Sequence, residues 1–409
     1  MGTGALQGFG RMIKNQTIFT EDNLPIMRGM ASESIDLIYL DPPFNSKKQY
    51  AAPIGSKAAG AAFKDTWTLD DMDEGWLTEI QHDYPALATL INAVGAIGSD
   101  GDKSYLVYMA VRLIEMHRIL KPTGSLYLHC DPTMSHSLKL LLDAIFGVKN
   151  FRNEMIWCYS RPSAPRQRQL SRSHDIIFWY SRGTSWTFNP DDIRQPYAQR
   201  SREREGYAAT ASKVAEGEVR LDTRGKFPES WIYIPPLKGN SKEYVGYPTQ
   251  KPLALLRRIV KASSNPGDWV LDPFCGCATT CLAAMDENRN WIGIDISPKA
   301  FELINQRMKD ELQLFGQSTI HRTDIPEREV SRSKGIRAQL FARQKGKCRG
   351  CERDFYYSAL ELDHIVPLSK GGQDGNSNLQ LLCGNCNKVK GDRPMAYLVA
   401  KLKERGAGV

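Results

Sequence analysis

The stretch Ile35-Asp36-Leu37-Ile38-Tyr39-Leu40-Asp41-Pro42-Pro43-Phe44 decides how the rest of the chain is read. Five of its first six residues are apolar, and the run stops at Asp-Pro-Pro-Phe. A short apolar run closed by a turn signal predicts a strand buried on both faces, as in a parallel sheet. Ligands of open α/β sheets bind where such strands end at their carboxyl edge. A carboxylate (Asp41), two stiff prolines (Pro42, Pro43) and an aromatic ring (Phe44) therefore stand at a ligand-binding edge. A core strand followed by an ordinary Asp-Pro turn fits the tetrapeptide equally well, so its neighbours must decide.

Outward from it the same grammar recurs. Thr17-Ile18-Phe19 reads as a strand, followed by a polar turn (Glu21-Asp22-Asn23) and a short helix. SYLVYMAVRLIEMHRILKPTG, 104 to 124, is apolar at helical spacing and ends in Pro-Thr-Gly, and GSLYLHCD follows as a buried strand ending at Asp131. Leu138 to Phe146 is helical again, and NEMIWCY and HDIIFWYS look like paired strands. Further on, YPTQKPLALLRRIVKASSNPGDWVLDPFCGCATTCLAAM predicts helix, turn, strand, turn and helix, and WIGIDIS is a strand ending at Asp295 before a helix to about Leu314. Such alternation predicts an α/β fold with a doubly wound sheet.

Two stretches lack a period. Residues 45 to about 102 are rich in Ala, Gly and Lys around FKDTW and read as a long functional loop. Residues 161 to about 243 open with Arg161, Arg166, Arg168 and Arg172 and continue Trp- and Tyr-rich.

The length of 409 residues allows two or three domains. No apolar run approaches the ~20 residues that cross a bilayer, and MGTGALQGFGRMIKNQ lacks the apolar centre of a secretory signal. A cytoplasmic protein with a short flexible leader and no membrane contact is expected. The net charge is +8, and residues 331–409 hold fifteen Lys/Arg against seven Asp/Glu, so 15 − 7 = +8 places the whole excess there. A basic module beside a balanced one suggests nucleic acid as partner, although a solvated basic surface gives the same count.

In Val270-Leu271-Asp272-Pro273-Phe274-Cys275-Gly276-Cys277-Ala278 a buried strand ends in an acid and a tight glycine turn opens a helix. Small residues admit a ligand to the backbone, and a helix start offers free amide donors. Asp295 ends the next strand, placed to accept from ribose hydroxyls. This is the logic of adenosine-cofactor binding.

DPPF together with DPFCGCATT resembles the S-adenosylmethionine-dependent DNA amino-methyltransferases. The tetrapeptide precedes the donor motif, which is the order of the β class, and LKPTGSLYLHCD, SHSLKLLLDAIFG, HDIIFWYS and YPTQKPLALL look like motifs of that class. The resemblance covers roughly residues 16 to 315. It implies S-adenosylmethionine as methyl donor, double-stranded DNA as substrate, donor contacts from Asp22, Lys251, Asp272, Phe274, Gly276 and Asp295, and a target-recognition segment at about 160–245. Ala278 departs from it, standing where a second glycine is usual. Catalysis falls to Asp41 and the Pro42 carbonyl, which accept the two N–H bonds of an exocyclic amine and free its lone pair, with Pro43 stiffening the turn and Phe44 stacking on the extruded base. Asp in first position leans toward adenine N6; N4 of cytosine stays open.

Cys348-x2-Cys351 and Cys383-x2-Cys386, thirty-one residues apart, form a four-thiolate zinc signature. The text between them is similar to the HNH endonuclease module, a small ββα-metal fold stapled by zinc, over about 348 to 393. The resemblance implies His364 as general base, Asn378 orienting its imidazole, and Asp363 with Asn387 holding one magnesium or manganese ion. Asn387 stands where many members have histidine. A zinc module that only binds DNA is the alternative. The expected domains are 1–325, a Rossmann-like methyltransferase, and 331–409, the HNH module. Together they read as a restriction–modification or phage-type protein; a dimer is compatible with the sequence.

Overall fold

The computed structural model describes residues 5–6, 13–52, 56, 58–59, 62–68, 71, 74–160, 168, 170–203, 221–312, 319–326, 335–344, 346–355, 357–373, 375 and 378–404. β1 (Ala5–Leu6) pairs antiparallel with β2 (Ile13–Lys14), inside the stretch expected as a leader; residues 1–4 and 7–12 of it lie outside the described residues. Then come β3 (Thr17–Thr20), α1 (Asn23–Gly29) and β4 (Ile35–Leu40), followed by β5 (Lys48–Ala51), β6 (Ala62–Asp65), α2 (Glu74–Asp83), α3 (Pro85–Ile97) and α4 (Asp100–Ile119). β7 (Leu120–Cys130), α5 (Ser135–Phe146), β8 (Phe151–Cys158), β9 (His174–Ser181), α6 (Gln199–Arg202) and β10 (Trp231–Tyr233) form the middle of the chain. α7 (Leu253–Ser263), β11 (Trp269–Asp272), α8 (Thr279–Asp286), β12 (Asn290–Asp295), α9 (Pro298–Leu312) and β13 (Ile320–Arg322) complete the large unit. Beyond it lie α10 (Gly335–Arg343), β14 (Leu360–His364), β15 (Leu379–Cys383), α11 (Gly384–Lys390) and α12 (Met395–Glu404).

Nine strands make one sheet in the order β10-β8-β9-β7-β4-β11-β12-β3-β13. β9 alone among these runs antiparallel to its neighbours β7 and β8. Burial on both faces, read from the apolar run of β4, is what the packing shows. Ile38 and Leu40 enter one core with Met27 of α1, Leu113 of α4 and Leu142 of α5. Leu37 and Tyr39 enter the opposite core with Leu256 of α7, Leu282 of α8 and Ile304 of α9. Each such side chain contributes about 1.5–3 kcal/mol when fully buried, so helices are held on both faces. The sheet is therefore a doubly wound, Rossmann-like α/β layer.

The stretch 45–102 is not the structureless loop expected. β5 and β6 pair as a hairpin, and α2 and α3 follow. α3 starts with proline and buries Leu87, Ala88 and Ile91, while the rest of its surface stays at least partly exposed. So thin an apolar stripe becomes helical through docking on α4 rather than through its own pattern. α4 begins four residues before its apolar period, because Ser99 caps it through the Asp102 N–H and two acids occupy its first turn. The Pro-Thr-Gly read as a turn lies inside β7, where the pairing jumps from Ile35↔Leu120 to Leu37↔Ser125. Proline lacks a donor and fits such an irregularity. His321 is in edge strand β13, parallel to β3. Of the four arginines, Arg161 and Arg166 lie outside the described residues; Arg172 donates to Thr133 Oγ1 at 2.9 Å, just past the end of β7.

The C-terminal elements enclose a separate small core of Ile336, Leu340, Phe341, Tyr357, Leu360, Leu381 and Leu398 with three of the zinc-signature cysteines. It meets the large unit at α2, where the His82 ring stands edge-on to Tyr357 at 5.6 Å. Among the described residues no helix is long and apolar enough to cross a membrane.

Candidate active site and metal centre

From β4 the chain proceeds outward to β7, and from β11 it proceeds the other way to β12, so the winding reverses between β4 and β11. The carboxyl ends of these two strands bound a cavity, as expected at a switch point. It is lined by all ten of the predicted methyltransferase residues: Asp22, Asp41, Pro42, Pro43, Phe44, Lys251, Asp272, Phe274, Gly276 and Asp295.

The glycine turn is built as its residues suggest. Gly276 takes φ +50 and donates its N–H to Asp295 Oδ2 at 2.8 Å, while Ser297 N–H donates to Oδ1 at 2.8 Å. A Cβ at Gly276 would lie 3.0 Å from the Tyr247 ring. Gly276→Ala is expected to cost about 1–2 kcal/mol from the left-handed backbone, visible as a lower denaturant midpoint. Ala278, the departure noted above, also sits left-handed at φ 56 and precedes α8. The position is fully buried.

Six carboxylates line the cavity, Glu21 and Asp65 beside Asp22, Asp41, Asp272 and Asp295. Burial pushes the Asp272 carboxyl up to about 7, against hydrogen bonds from Thr280 and the Phe274 N–H that favour the ionised form. Burial likewise raises Asp295. Asp22 caps α1 by accepting the Leu24 N–H at 2.7 Å, and both its oxygens face the guanidinium of fully buried Arg112, at 3.0 and 2.7 Å. Arg112 in turn lies 3.4 Å over the Tyr108 ring. Asp41 is different: Oδ2 is bonded by Lys251 Nζ at 2.5 Å, and Oδ1 is buried with no partner among the described residues. Lys251 thus lines the cavity as expected but places its ammonium on Asp41.

Several residues that hold this site were not identified from the sequence. Behind the Asp-Pro-Pro-Phe turn, Tyr39 Oη meets His129 Nδ1 at 2.8 Å, His129 Nε2 meets Asp175 at 3.2 Å, and Tyr159 donates to Asp175 at 3.0 Å. Burial alone would raise Asp175, but its bonds to His129 and Tyr159 and the nearby Lys251 charge hold it below the usual carboxylate range. Phe44 stacks on that histidine with centroids 5.9 Å apart. Asp65, from FKDTW, accepts the Asn45 N–H at 2.7 Å and the Ser46 N–H at 3.0 Å, and so fixes the exit of the turn. The available signals were polar residues inside otherwise apolar strands: His129 in GSLYLHCD and Asp175 in HDIIFWYS.

In the C-terminal unit, ligand atoms of Cys348, Cys351, Cys383 and Cys386 lie within 4.8 Å of one another. N–H groups of Gly350 and Cys383 point at Cys348 Sγ, and Cys386 N–H at Cys383 Sγ. Four converging thiols with amide donors behind them fit a tetrahedral zinc ion. His364 ends β14, which pairs antiparallel with β15. The resemblance puts Asn378 on the imidazole, but both its amide hydrogens go elsewhere, to the Val366 and Gln373 carbonyls, and its oxygen accepts the Val366 N–H. It pins the loop that follows His364. Asp363 pairs with buried Lys390 at 3.0 Å and accepts from Gln380 at 2.8 Å, and Asn387 donates to Glu361 at 2.6 Å. Carboxylate and amide oxygens are the donor chemistry of magnesium or manganese, though here Asp363 already carries an ammonium partner.

Residues 35–306 match the family described as DNA methylase, and residues 348–393 match the HNH endonuclease family. The DNA adenine methyltransferase YhdJ of Escherichia coli K12 is 26% identical over 310 residues, covering 73% of this chain and 84% of that protein. The type II methyltransferase M.EcaI of Enterobacter cloacae is 28% identical, covering 72% and 70%. A solved putative DNA modification methylase from Thermus thermophilus superposes with TM-score 0.43 at 18% identity, over 76% of this chain and all of that one. With well over half of its length matched by one family, the chain belongs to the DNA methylases and carries an HNH endonuclease domain near its C-terminus.

Proposed function

We propose that the large unit, residues 1–325, transfers a methyl group from S-adenosylmethionine to adenine N6 in duplex DNA. The observation that carries this reading is the buried, unpartnered Asp41 Oδ1 in the cavity between β4 and β11. An acceptor without a donor is costly in a low-dielectric site, and an amine N–H is the group it awaits. The donor's sulfonium and ammonium are cationic, which suits a cavity lined by Asp22, Asp41, Asp272 and Asp295. Once bound, the donor supplies an electrophilic methyl whose sulfur leaves as a neutral thioether. The protein's own work is to accept hydrogen bonds from the amine's two N–H groups at Asp41 Oδ1 and the Pro42 carbonyl, which localises the nitrogen lone pair, and to offer Phe44 as a stacking face; the one surplus proton leaves the nitrogen after the methyl has bonded to it. Asp295 and the Gly276 turn receive the adenosine end. The adenine assignment draws support from Asp in first position and from the adenine relative. Mass spectrometry of duplex DNA treated with protein and donor tests it: N6-methyladenine is expected, and N4-methylcytosine alone would overturn the base assignment.

The C-terminal unit, residues 331–409, is proposed to cut DNA, with His364 as base. Asp363 and Asn387 would hold a divalent ion, which would supply charge stabilisation at the phosphate. A zinc element that only binds DNA is the second reading, favoured by the Lys390 ammonium on Asp363. His364→Ala is expected to abolish plasmid nicking in magnesium while methylation proceeds unchanged in a short EDTA incubation. Wild-type protein that leaves supercoiled plasmid intact with magnesium and with manganese, on methylated and unmethylated DNA, would establish the second reading. Such a protein would join modification and cleavage in one chain, as restriction–modification or phage-encoded systems do.

A further inference from the structure

We propose that Lys251 is a positioning residue for methyl transfer: it clamps Asp41 by one carboxylate oxygen so that the other is presented to the target amine. The inference rests on the reading of Asp41 as the amine acceptor and extends it to a residue 210 positions away.

Lys251 Nζ lies 2.5 Å from Asp41 Oδ2 and 3.3 Å from the Thr249 carbonyl, and 5.3 Å from the centroid of the Phe44 ring. One ammonium therefore touches the proposed acceptor and faces the proposed stacking ring. A carboxylate free to turn about its terminal torsion offers either oxygen in a broad range of orientations. Held by Oδ2, Asp41 offers Oδ1 alone, and that oxygen is the buried one without a partner among the described residues.

The segment that delivers Lys251 is braced for the purpose. Thr249 has φ +63, a backbone region that β-branched residues rarely occupy. Such conformations persist where surroundings over-determine them, and they cluster at functional sites. Here the surroundings are Gln250, whose amide accepts the Val245 N–H at 3.0 Å and donates to the Glu243 carbonyl at 2.8 Å. Glu243 itself accepts the Leu253 N–H at 2.6 Å, at the start of α7. The lysine thus rises from a loop locked to a helix terminus, with its side chain 9% exposed. Paired with Asp41, its charge is neutralised where it stands.

The test compares Lys251→Met, Lys251→Arg and Asp41→Ala with wild type in two measurements: steady-state methylation of duplex DNA at saturating substrates, and equilibrium binding of S-adenosylmethionine without DNA. Lys251→Met is expected to lower kcat about 100-fold, the scale of a misplaced catalytic group, with donor affinity close to wild type. Retained donor binding also reports that the variant is folded. Lys251→Arg, which keeps the cation, should recover most of the loss. Should the methionine variant fail to bind donor through unfolding, arginine and glutamine replacements carry the same comparison. In the Asp41→Ala background, Lys251→Met should lower the residual rate no further. A lysine variant that is folded, weakens donor binding and keeps wild-type kcat at saturation would overturn the clamp in favour of a donor contact. An inactive Asp41→Ala beside a fully active Lys251→Met would remove the clamp alone. A fully active Asp41→Ala would remove the underlying reading of Asp41.

Discussion

Asp41→Ala is expected to lower methyl transfer by about 10²–10³-fold, or about 3–4 kcal/mol of barrier, the scale seen when one preorganised hydrogen-bonding group at a reacting centre is removed. Affinity for the donor should change little, because on the proposed reading the free oxygen of Asp41 takes the amine, while its other oxygen is held by Lys251. The truncation also leaves a nearly buried ammonium without its carboxylate, which lowers stability. Donor binding is therefore the proper control for folding. Asp295→Ala should behave in the opposite way, weakening donor binding first. It strips the Gly276 and Ser297 N–H groups of their acceptor, at about 1–3 kcal/mol for each donor left unpaired. Activity measured at saturating donor separates the two variants, and equal loss of donor affinity in both would defeat the division of roles.

The second large effect concerns the four cysteines. Elemental analysis should find one zinc per chain, and Cys383→Ser should lose it together with the folding of residues 335–404. Structural zinc supplies about 10–16 kcal/mol in small modules. The apolar core here is small, with three of the four cysteines counted within it. A module of this size seldom folds on burial alone. The methyltransferase cavity lies in a different core, so donor binding should survive. Limited proteolysis of the variant should then trim the C-terminal unit and spare the large one. A zinc-free protein whose C-terminal unit resists protease would contradict the assignment.

Much of the sheet was legible because its signals are local. Apolar runs that end in acids mark β4, β11 and β12, and each of those acids lines the same cavity: Asp41, Asp272 and Asp295. The helices α2 and α3 were not legible, because they bury thin stripes and gain their helicity from docking on α4. The start of α4 was displaced for a related reason: a serine cap and two acids extend it beyond its apolar period.

By itself the sequence determined the strand–helix alternation, the acid-tipped edge with its glycine turn and the four-thiol cluster. Periodicity, turn chemistry and cysteine spacing are all carried by residues close together in the chain. Tertiary structure alone decided which oxygen of Asp41 is taken, since its partner Lys251 comes from 210 residues away. It also decided that Asp65 fixes the turn, that Asp22 is already held by Arg112, and that Asn378 braces the loop after His364. Those pairings depend on strand order and on how helices dock across the sheet, and the free energy that selects them comes from burying distant side chains together.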